Sequence, residues 1–191
     1  MRIISGSARG KHLATFTGKE IRPTGDRARE ALFSILLSRY RSLNGIRVLD
    51  LFAGSGAMAL EAVSRGAASA TCVDNNPQAI ELITRNMAGC ALSDKVTLVR
   101  SNVLHLPPQV LNKAPFDLIF LDPPYGKGLA EATLAMLTAK QLLGRNGIIC
   151  VETGAKEKLD VDNRAFTLCD DRRYGAIRFR LFVKAAMEAH E

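Results

Sequence analysis

The sequence of 191 residues contains no tryptophan, three histidines and four cysteines. The cysteines are far apart and include no C-x-x-C pair, so a structural zinc site lacks its ligand spacing. We therefore predict buried thiols in a reducing compartment. The histidines form no cluster and belong to no Ser/His/Asp motif, and we predict no metal site. The four cysteines are Cys72, Cys90, Cys150 and Cys169.

Long hydrophobic runs are also missing. No apolar run approaches the roughly 18 residues that a membrane-spanning helix needs. The first ten residues lack the apolar core of a signal peptide. With 47% apolar and 24% charged residues, the composition is typical of one globular domain. The sequence thus predicts a cytoplasmic protein that does not enter a membrane.

Charge is the first conspicuous property that is present. The net charge is +7, from 26 basic and 19 acidic residues. Residues 1–47 hold ten of the basic residues and three of the acidic ones, an excess equal to the charge of the whole chain. A basic excess confined to one end is typical of a protein that binds a polyanion such as nucleic acid.

Hydrophobic periodicity predicts helices that alternate with strands. Helices are expected over 26–43 and 55–65, from Pro77 onward, and near 128–143. Strands are expected over 46–52, 70–73, 96–99, 116–121 and 147–152, followed by two more over 166–169 and 177–183. Asn76 has the properties of an N-cap for the helix that begins at Pro77.

Alternating strands and helices indicate a parallel sheet covered on both faces. Residues 172–175 are expected to join the last two strands in an antiparallel hairpin, and residues 2–17 to form a smaller hairpin. We therefore predict an α/β fold with one doubly wound, Rossmann-like sheet, mostly parallel, with a C-terminal antiparallel hairpin and a small N-terminal β-hairpin extension. The expected units are a basic extension over 1–21, the α/β domain over 22–184 and a tail over 185–191.

A glycine-rich turn follows the first strand and reads Asp50-Leu-Phe-Ala-Gly-Ser-Gly56. Glycines let the backbone approach a ligand, and the following helix N-terminus favours a negative group such as a carboxylate. Asp74, at the end of the next strand, is suited to ribose hydroxyls. Together these features predict a nucleoside-type ligand. Asp50 disfavours the pyrophosphate of NAD and suits the ammonium of an amino-acid moiety.

The strand predicted at 116–121 runs into Asp122-Pro123-Pro124-Tyr125. The prolines fix the backbone and leave carbonyl groups unpaired. A carboxylate, a free carbonyl and an aromatic ring can receive a planar base that bears an amino group. Asp122 and the Pro123 carbonyl would accept the two amino hydrogens and turn the nitrogen lone pair towards an electrophilic methyl group. Catalysis would then rest on positioning and electrostatics.

These two motifs resemble those of class I S-adenosylmethionine methyltransferases that modify exocyclic amino groups. The N-terminal sequences Met1-Arg-Ile-Ile-Ser-Gly, Arg9-Gly-Lys11 and 22–33 further resemble the RsmD family, over essentially residues 1–184. That family methylates N2 of one guanine, position 966, in 16S ribosomal RNA. The resemblance implies S-adenosylmethionine as cofactor, S-adenosylhomocysteine as product and no metal.

The resemblance also assigns roles to residues. Asp74 would bind the ribose and Asn102 the adenine, where methyltransferases often have Asp. Thr24 and Arg27 fall in the segment that closes over the methionine end. The catalytic residues would be those of the 122–125 motif. The full set of expected cofactor-binding residues is Thr24, Arg27, Asp50, Ala53, Gly54, Ser55, Gly56, Asp74, Asn75, Asn102 and Val103.

The guanine must leave its stack to reach Asp122, and RNA is most readily recognised at loops with splayed bases. Basic residues near both ends of the domain are expected to grip the RNA. The expected partner is 16S rRNA or an assembling small ribosomal subunit, bound by a monomer. The expected RNA-binding residues are Arg2, Arg9, Lys11, Arg22, Arg172, Arg173 and Arg178.

Other functions stay open on sequence alone. A DNA adenine-N6 or cytosine-N4 methyltransferase would use the same motif, but it normally needs a sizeable target-recognition domain. A protein-glutamine methyltransferase would usually have Asn in place of Asp122. A non-catalytic RNA-binding assembly factor could keep the fold, although the complete 122–125 motif argues against it. A NAD oxidoreductase is the weakest alternative.

Overall fold

The computed structural model describes residues 1–16 and 25–186. Seven strands and five helices follow one another in this part of the chain. The helices are α1 (Asp26–Tyr40), α2 (Ala57–Ser64), α3 (Pro77–Cys90), α4 (Pro108–Leu111) and α5 (Leu129–Ala139). The strands are β1 (Arg47–Leu51), β2 (Ser69–Asp74), β3 (Val96–Arg100), β4 (Phe116–Leu121), β5 (Leu143–Gly154), β6 (Phe166–Tyr174) and β7 (Ile177–Lys184).

The strands form one sheet in the order β3-β2-β1-β4-β5-β7-β6. Strands β1 to β5 are mutually parallel, whereas β7 pairs antiparallel with both β5 and β6. The chain starts near the middle, winds to one edge and returns to build the other. The predicted doubly wound sheet with a C-terminal antiparallel hairpin is confirmed.

Alternation along the central strands divides the core into two layers. Val48 and Leu118 face a cluster formed with α1, α2, α3 and the N-terminal segment. Leu49 and Ile119 face the opposite cluster, to which α4 and α5 contribute. Because both faces are covered, the strands are almost continuously apolar. Within the described ranges no helix is long and apolar enough to cross a membrane.

The capping signals for α3 are confirmed. The Asn76 side chain accepts a hydrogen bond from the Gln78 N–H, and Pro77 occupies the first turn. Helix α1 ends at Tyr40, three residues before its predicted end. Its buried residues are Ala28, Arg29, Leu32, Phe33 and Leu36.

The N-terminal segment, residues 1–16, folds onto α2. Its two arms pair through one antiparallel bridge between Arg2 and His12, a minimal form of the expected hairpin. Ile3 and Leu13 are buried in the core. The fully buried Glu61 carboxylate accepts the backbone N–H groups of residues 4 and 5 at 2.8 and 3.1 Å. This segment is therefore anchored by both apolar contacts and hydrogen bonds.

Arg29 completes that anchor from the side of α1. Its guanidinium donates to the Arg2 carbonyl and to Asp26 Oδ1, the latter at 3.0 Å. Its Nε lies 3.8 Å from Glu61 Oε2, and both side chains are fully buried. Arg65 adds a 2.6 Å hydrogen bond to the same carboxylate. The ion pairs connect α1, α2 and the N-terminal segment.

Three features differ from the sequence-based expectations. Helix α5 ends at Ala139 and β5 begins at Leu143, so the predicted extension of the helix to 143 is wrong. Strand β6 continues through Tyr174, so residues 172–174 are strand and the turn is at Gly175 and Ala176. The short helix α4 was not foreseen.

Candidate active site

The carboxyl ends of β1, β2 and β4 lie side by side, because β1 pairs with both of the other strands. Leu51 of β1 is in register with Leu121 of β4, and the Asp122 N–H points to the Leu51 carbonyl across 3.5 Å. The glycine loop (residues 52–56) and the corner predicted to be catalytic (residues 122–125, hereafter the catalytic corner) are therefore neighbours. Open α/β sheets bind ligands at this edge.

The backbone of the glycine loop explains its composition. Gly54 and Gly56 have φ values of 56° and 75°, in the left-handed region that favours glycine. A Cβ on Gly56 would also lie 3.3 Å from Cγ1 of Ile83, so glycine lets α3 pack closely. Phe52 adopts φ 60° although it has a side chain. Such strained positions cluster at functional sites.

Asp74 holds the glycine loop in place. Its Oδ2 accepts a hydrogen bond from the Gly54 N–H at 2.9 Å, and its Oδ1 accepts one from Asn76 at 2.9 Å. The buried Ala53 donates its N–H to the Val73 carbonyl at 3.1 Å. The carboxylate at the end of β2 thus fixes the loop after β1, and its oxygens keep lone pairs for a ligand.

Asn86, a buried residue of α3 that sequence reasoning missed, joins the glycine loop to the N-terminal segment. Its carboxamide donates to the carbonyls of Ser55 (2.9 Å) and Ala14 (3.0 Å) and accepts from the Ala14 N–H (2.7 Å). A Cβ on Gly54 would lie 3.8 Å from the ring of Phe16. The segment therefore passes close to the loop. No sequence motif near Asn86 predicts this contact.

Asp50 is 3% exposed and lies beneath the start of α2. Its Oδ2 accepts the Ala59 N–H at 3.1 Å. Burial raises the pKa of Asp50 to about 7, with a smaller contribution from the Asp74 charge, against the lowering effect of the Ala59 bond. An ammonium group placed beside this carboxyl would favour its ionised form.

The catalytic corner combines a buried and an accessible proline. Pro123 is buried, whereas Asp122, Pro124 and Tyr125 reach solvent. Desolvation by the protein packed around its carboxyl group, followed by the charges of Glu152 and Asp50, raises the pKa of Asp122 well above its usual range. The corner therefore presents a carboxyl group that holds a proton more tightly than an ordinary aspartate.

Tyr125 is oriented by the end of β5. Its hydroxyl donates to Glu152 Oε1 at 3.1 Å, and a Cβ on Gly154 would lie 3.6 Å from its ring. Burial and the Glu152 charge raise the pKa of Tyr125. The residue is nevertheless 45% exposed, so the orientation of its side chain is fixed while part of its surface is available to a ligand.

Glu157 clamps the chain on both sides of this ring, a role that sequence reasoning missed. Its Oε1 accepts the Gly126 N–H at 2.7 Å, and its Oε2 accepts the Gly154 N–H at 3.1 Å. The buried Arg180 donates to the Glu157 carbonyl at 2.7 Å and to Thr153 Oγ1 at 2.7 Å. The loop after β4 is thereby tied to the end of β5.

The remaining cofactor candidates are spread around this edge. Asn102 is exposed and its Oδ1 accepts the Leu104 N–H at 2.9 Å, while Val103 is buried. Asn75 is exposed at the end of β2, and Arg27 is exposed in the first turn of α1. Thr24 lies outside the described residues.

The basic candidates fall into two groups. Arg9 and Lys11 are exposed and have no carboxylate within 4 Å in the described part of the chain, whereas Arg2 lies 3.6 Å from Asp26. Arg22 is outside the described residues. The other group is on the C-terminal hairpin and consists of Arg172, Arg173 and Arg178.

On that hairpin, two of the three arginines are paired. Arg172 contacts Asp170 at 2.8 Å, and Arg178 makes two 2.6 Å hydrogen bonds to Asp171. Arg173 is exposed, and its side chain donates to the Gly175 carbonyl at 3.1 Å. Within residues 1–16 and 25–186, no cluster of His, Cys, Asp and Glu could hold a metal ion.

A doubly wound sheet with a glycine loop after β1 and an Asp-Pro-Pro-Tyr corner after β4 defines the protein as a Rossmann-like methyltransferase. A family model described as "Conserved hypothetical protein 95" matches residues 1–183. The chain belongs to this family, the RsmD family whose motifs its sequence resembles.

Relatives match nearly the whole chain. Ribosomal RNA small subunit methyltransferase D of Haemophilus influenzae is 32% identical over 95% of this chain and 93% of its own length. The protein of the same name from Escherichia coli K12 is 32% identical over 97% of this chain and 91% of its own. The solved structure of Escherichia coli yhhF superposes with a TM-score of 0.80 at 32% identity, covering 98% and 99% of the two chains.

Proposed function

We propose that this enzyme transfers a methyl group from S-adenosylmethionine to the exocyclic N2 of one guanine in 16S ribosomal RNA. It would act in the cytoplasm as a monomer, on naked RNA or on an assembling small subunit. The observation that carries the proposal is the catalytic corner, which lies directly beside the glycine loop. The names of the relatives support ribosomal RNA as the substrate class.

The residues at the strand ends suit this cofactor. In the described part of the chain, a Cβ on Gly54 would have only the Phe16 ring and the Phe52 carbonyl oxygen within 4 Å, both at 3.8 Å or more, so a ligand can approach the loop closely. The Asp74 carboxylate suits ribose hydroxyls, and Asp50 suits the ammonium of the methionine portion. Asn102 would hold the adenine. S-adenosylmethionine supplies an electrophilic methyl group on a positively charged sulfur and leaves as S-adenosylhomocysteine.

The corner would position the substrate nitrogen. The flipped guanine stacks on the Tyr125 ring. The Asp122 carboxylate and the Pro123 carbonyl accept its two N2 hydrogens, which turns the lone pair out of conjugation with the ring. When the N–C bond forms, the nitrogen must lose a proton. The raised pKa of Asp122 makes its carboxylate a suitable acceptor.

The test is methyl transfer from labelled S-adenosylmethionine to small subunits and to naked 16S RNA, both from cells that lack this gene. Nucleoside mass spectrometry identifies the product. N2-methylguanosine at a single position is the expected result. Transfer to DNA instead, or to neither RNA despite cofactor binding, would refute the proposal.

An Asp122 variant separates catalysis from binding. Asp122→Ala should abolish methyl transfer because the amino hydrogens lose their acceptor. Its affinity for S-adenosylhomocysteine should stay within about tenfold, equivalent to about 1.4 kcal/mol. Turnover close to that of the wild type would exclude the mechanism, even if the RNA substrate is correct.

A further inference from the structure

An open concavity of about 680 Å³ lies next to the catalytic corner. Three parts of the chain line it: Tyr125 and Gly126 after β4, residues 154–157 at the end of β5, and the β6–β7 turn with Arg173. This volume is within the usual range of small-ligand sites, about 300–1,000 Å³. The concavity therefore has room for a nucleotide.

The walls of the concavity let a ligand lie close to the backbone. Five of its nine lining residues are glycine or alanine, so much of its surface is backbone. The exposed part of the Tyr125 ring is the aromatic surface among these residues. In the proposed function that ring stacks on the flipped guanine, so the backbone wall is left for the ribose and phosphate next to it.

The charges at the rim favour an anion. Lys156 and Arg173 are both exposed lining residues, and neither has a carboxylate within 4 Å in residues 1–16 and 25–186. Arg172 and Arg178, on the same hairpin, are paired with Asp170 and Asp171. The charge of Arg173 is therefore more available to a ligand than the paired charges of Arg172 and Arg178.

Glu157 is the carboxylate in the lining, and the structure compensates its charge. Both of its oxygens accept backbone N–H groups, from Gly126 and Gly154. Charge-assisted bonds of this kind disperse the negative charge into the backbone. A phosphate at the rim would thus face two free cations and a carboxylate that is already engaged.

We propose that this concavity binds the nucleotide that adjoins the methylated guanosine in the RNA chain. The guanine stacks on Tyr125 at the edge of the concavity. The ribose of the adjoining nucleotide lies against the glycine and alanine wall, and its phosphate lies between Lys156 and Arg173. The inference rests on the proposed function, because an RNA substrate brings a second nucleotide to the corner. It adds Lys156 to the RNA-binding residues and distinguishes Arg173 from the other arginines of the hairpin.

The experiment measures the affinity of the full-length protein for a labelled, unmethylated 16S RNA fragment at several potassium chloride concentrations. The variant Lys156→Ala/Arg173→Ala is compared with Lys158→Ala/Arg164→Ala. The second pair removes the same two charges from exposed positions that do not line the concavity. A third variant, Lys156→Arg/Arg173→Lys, keeps both charges.

Each phosphate contact on a single strand contributes about 0.7 to the slope of log K against log salt. Loss of both cations removes the contact to one phosphate, so it should lower the slope by about 0.7 and raise the Kd about fivefold near 0.1 M salt. The control pair should change the slope by less than half as much, and the charge-preserving variant should restore it. Melting temperature and affinity for S-adenosylhomocysteine should not change.

Equal slopes for the two charge-removing pairs would overturn the inference, since the overall positive charge of the protein would then explain the binding. If the wild type methylates the fragment while the slopes are equal, the proposed function stands and the subsite is wrong. If the wild type transfers no methyl group but the slopes differ as expected, the proposed function fails and the concavity is an RNA site of another kind. Absence of RNA binding by the wild type would refute both.

Discussion

Substitution of Glu157 tests whether the clamp beside the catalytic corner contributes to the rate. Its carboxylate holds Gly126 and Gly154 at 2.7 and 3.1 Å. A hydrogen bond to a charged group contributes about 1.5–3 kcal/mol, and the lower value applies to this half-buried side chain. Glu157→Ala therefore removes about 3 kcal/mol of restraint on the corner.

Part of that free energy will be lost from the stability of the fold, and part from the positioning of the catalytic corner. Each 1.36 kcal/mol corresponds to tenfold in rate, so we expect kcat to fall by about 10- to 100-fold. Glu157→Gln keeps one acceptor oxygen and should lose about half as much free energy, or threefold to tenfold in kcat. Neither change touches the Glu157 carbonyl that Arg180 uses.

The assay is steady-state methyl transfer at saturating RNA and cofactor, together with thermal unfolding. Glu30→Ala, which removes an exposed carboxylate on α1, is the control. If kcat in both Glu157 variants stays within twofold of the wild type while the melting temperature falls, the clamp supports the fold alone and the reasoning is refuted.

Three further predictions concern stability, the cofactor and pH. Gly6→Ala should lower the free energy of unfolding by about 3 kcal/mol or more, because a Cβ there would lie 1.8 Å from the Ser64 carbonyl oxygen. Gly10 has a similar φ and no atom within 4 Å of such a Cβ, so Gly10→Ala should lower it by about 1–2 kcal/mol. Equal losses in the two variants would contradict the steric argument. Asp74→Ala should weaken S-adenosylhomocysteine binding by at least tenfold in calorimetry, since the glycine loop loses its tether, whereas unchanged affinity would mean that the loop is held otherwise. Folding raises the pKa of Asp50 from 3.8 to about 7, so its contribution to stability is present below pH 4 and is lost as pH rises through 7. In denaturant unfolding at several pH values, Asp50→Asn should show a smaller loss of stability over this range. If the free energy of unfolding depends on pH in the same way in both proteins, Asp50 is not the cause of the decline.

The features that the sequence predicted correctly depend on local signals. The strand 116–121, the cap at Asn76 and the order of the elements follow from burial patterns and capping chemistry within a few residues. The glycine loop and the catalytic corner were found because each is a continuous motif at a strand end. Their proximity followed from the rule that ligands bind where parallel strands end.

The features that were missed depend on contacts between distant parts of the chain. Leu142 and Leu143 continue the apolar spacing of α5, but the chain turns at Gln141, with φ 52°, and Leu143 pairs with Phe116. Arg29 and Glu61 are charged residues in a buried position, which a periodicity argument places in solvent.

The Glu157 clamp and the Asn86 contacts were missed for the same reason. Glu157 and Asn86 meet their partners 31 and 72 positions away in sequence, at Gly126 and Ala14. Nothing near either residue in the sequence signals such a contact. Both could be recognised only once the sheet had brought the strand ends together.

Because the N-terminal segment is anchored to the core, binding of a nucleic acid by its basic residues costs less conformational entropy. Arg9 and Lys11 lie in a turn whose neighbours Ala8 and Leu13 are buried in the core. A disordered basic tail loses conformational entropy when a nucleic acid orders it, about 1–2 kcal/mol for each residue fixed. In this protein folding has already restricted the backbone, so the attraction between these cations and phosphate is opposed by little further ordering. The segment therefore presents a rigid charged surface of defined shape. In the proposed function such a surface would discriminate between RNA conformations as well as attract them.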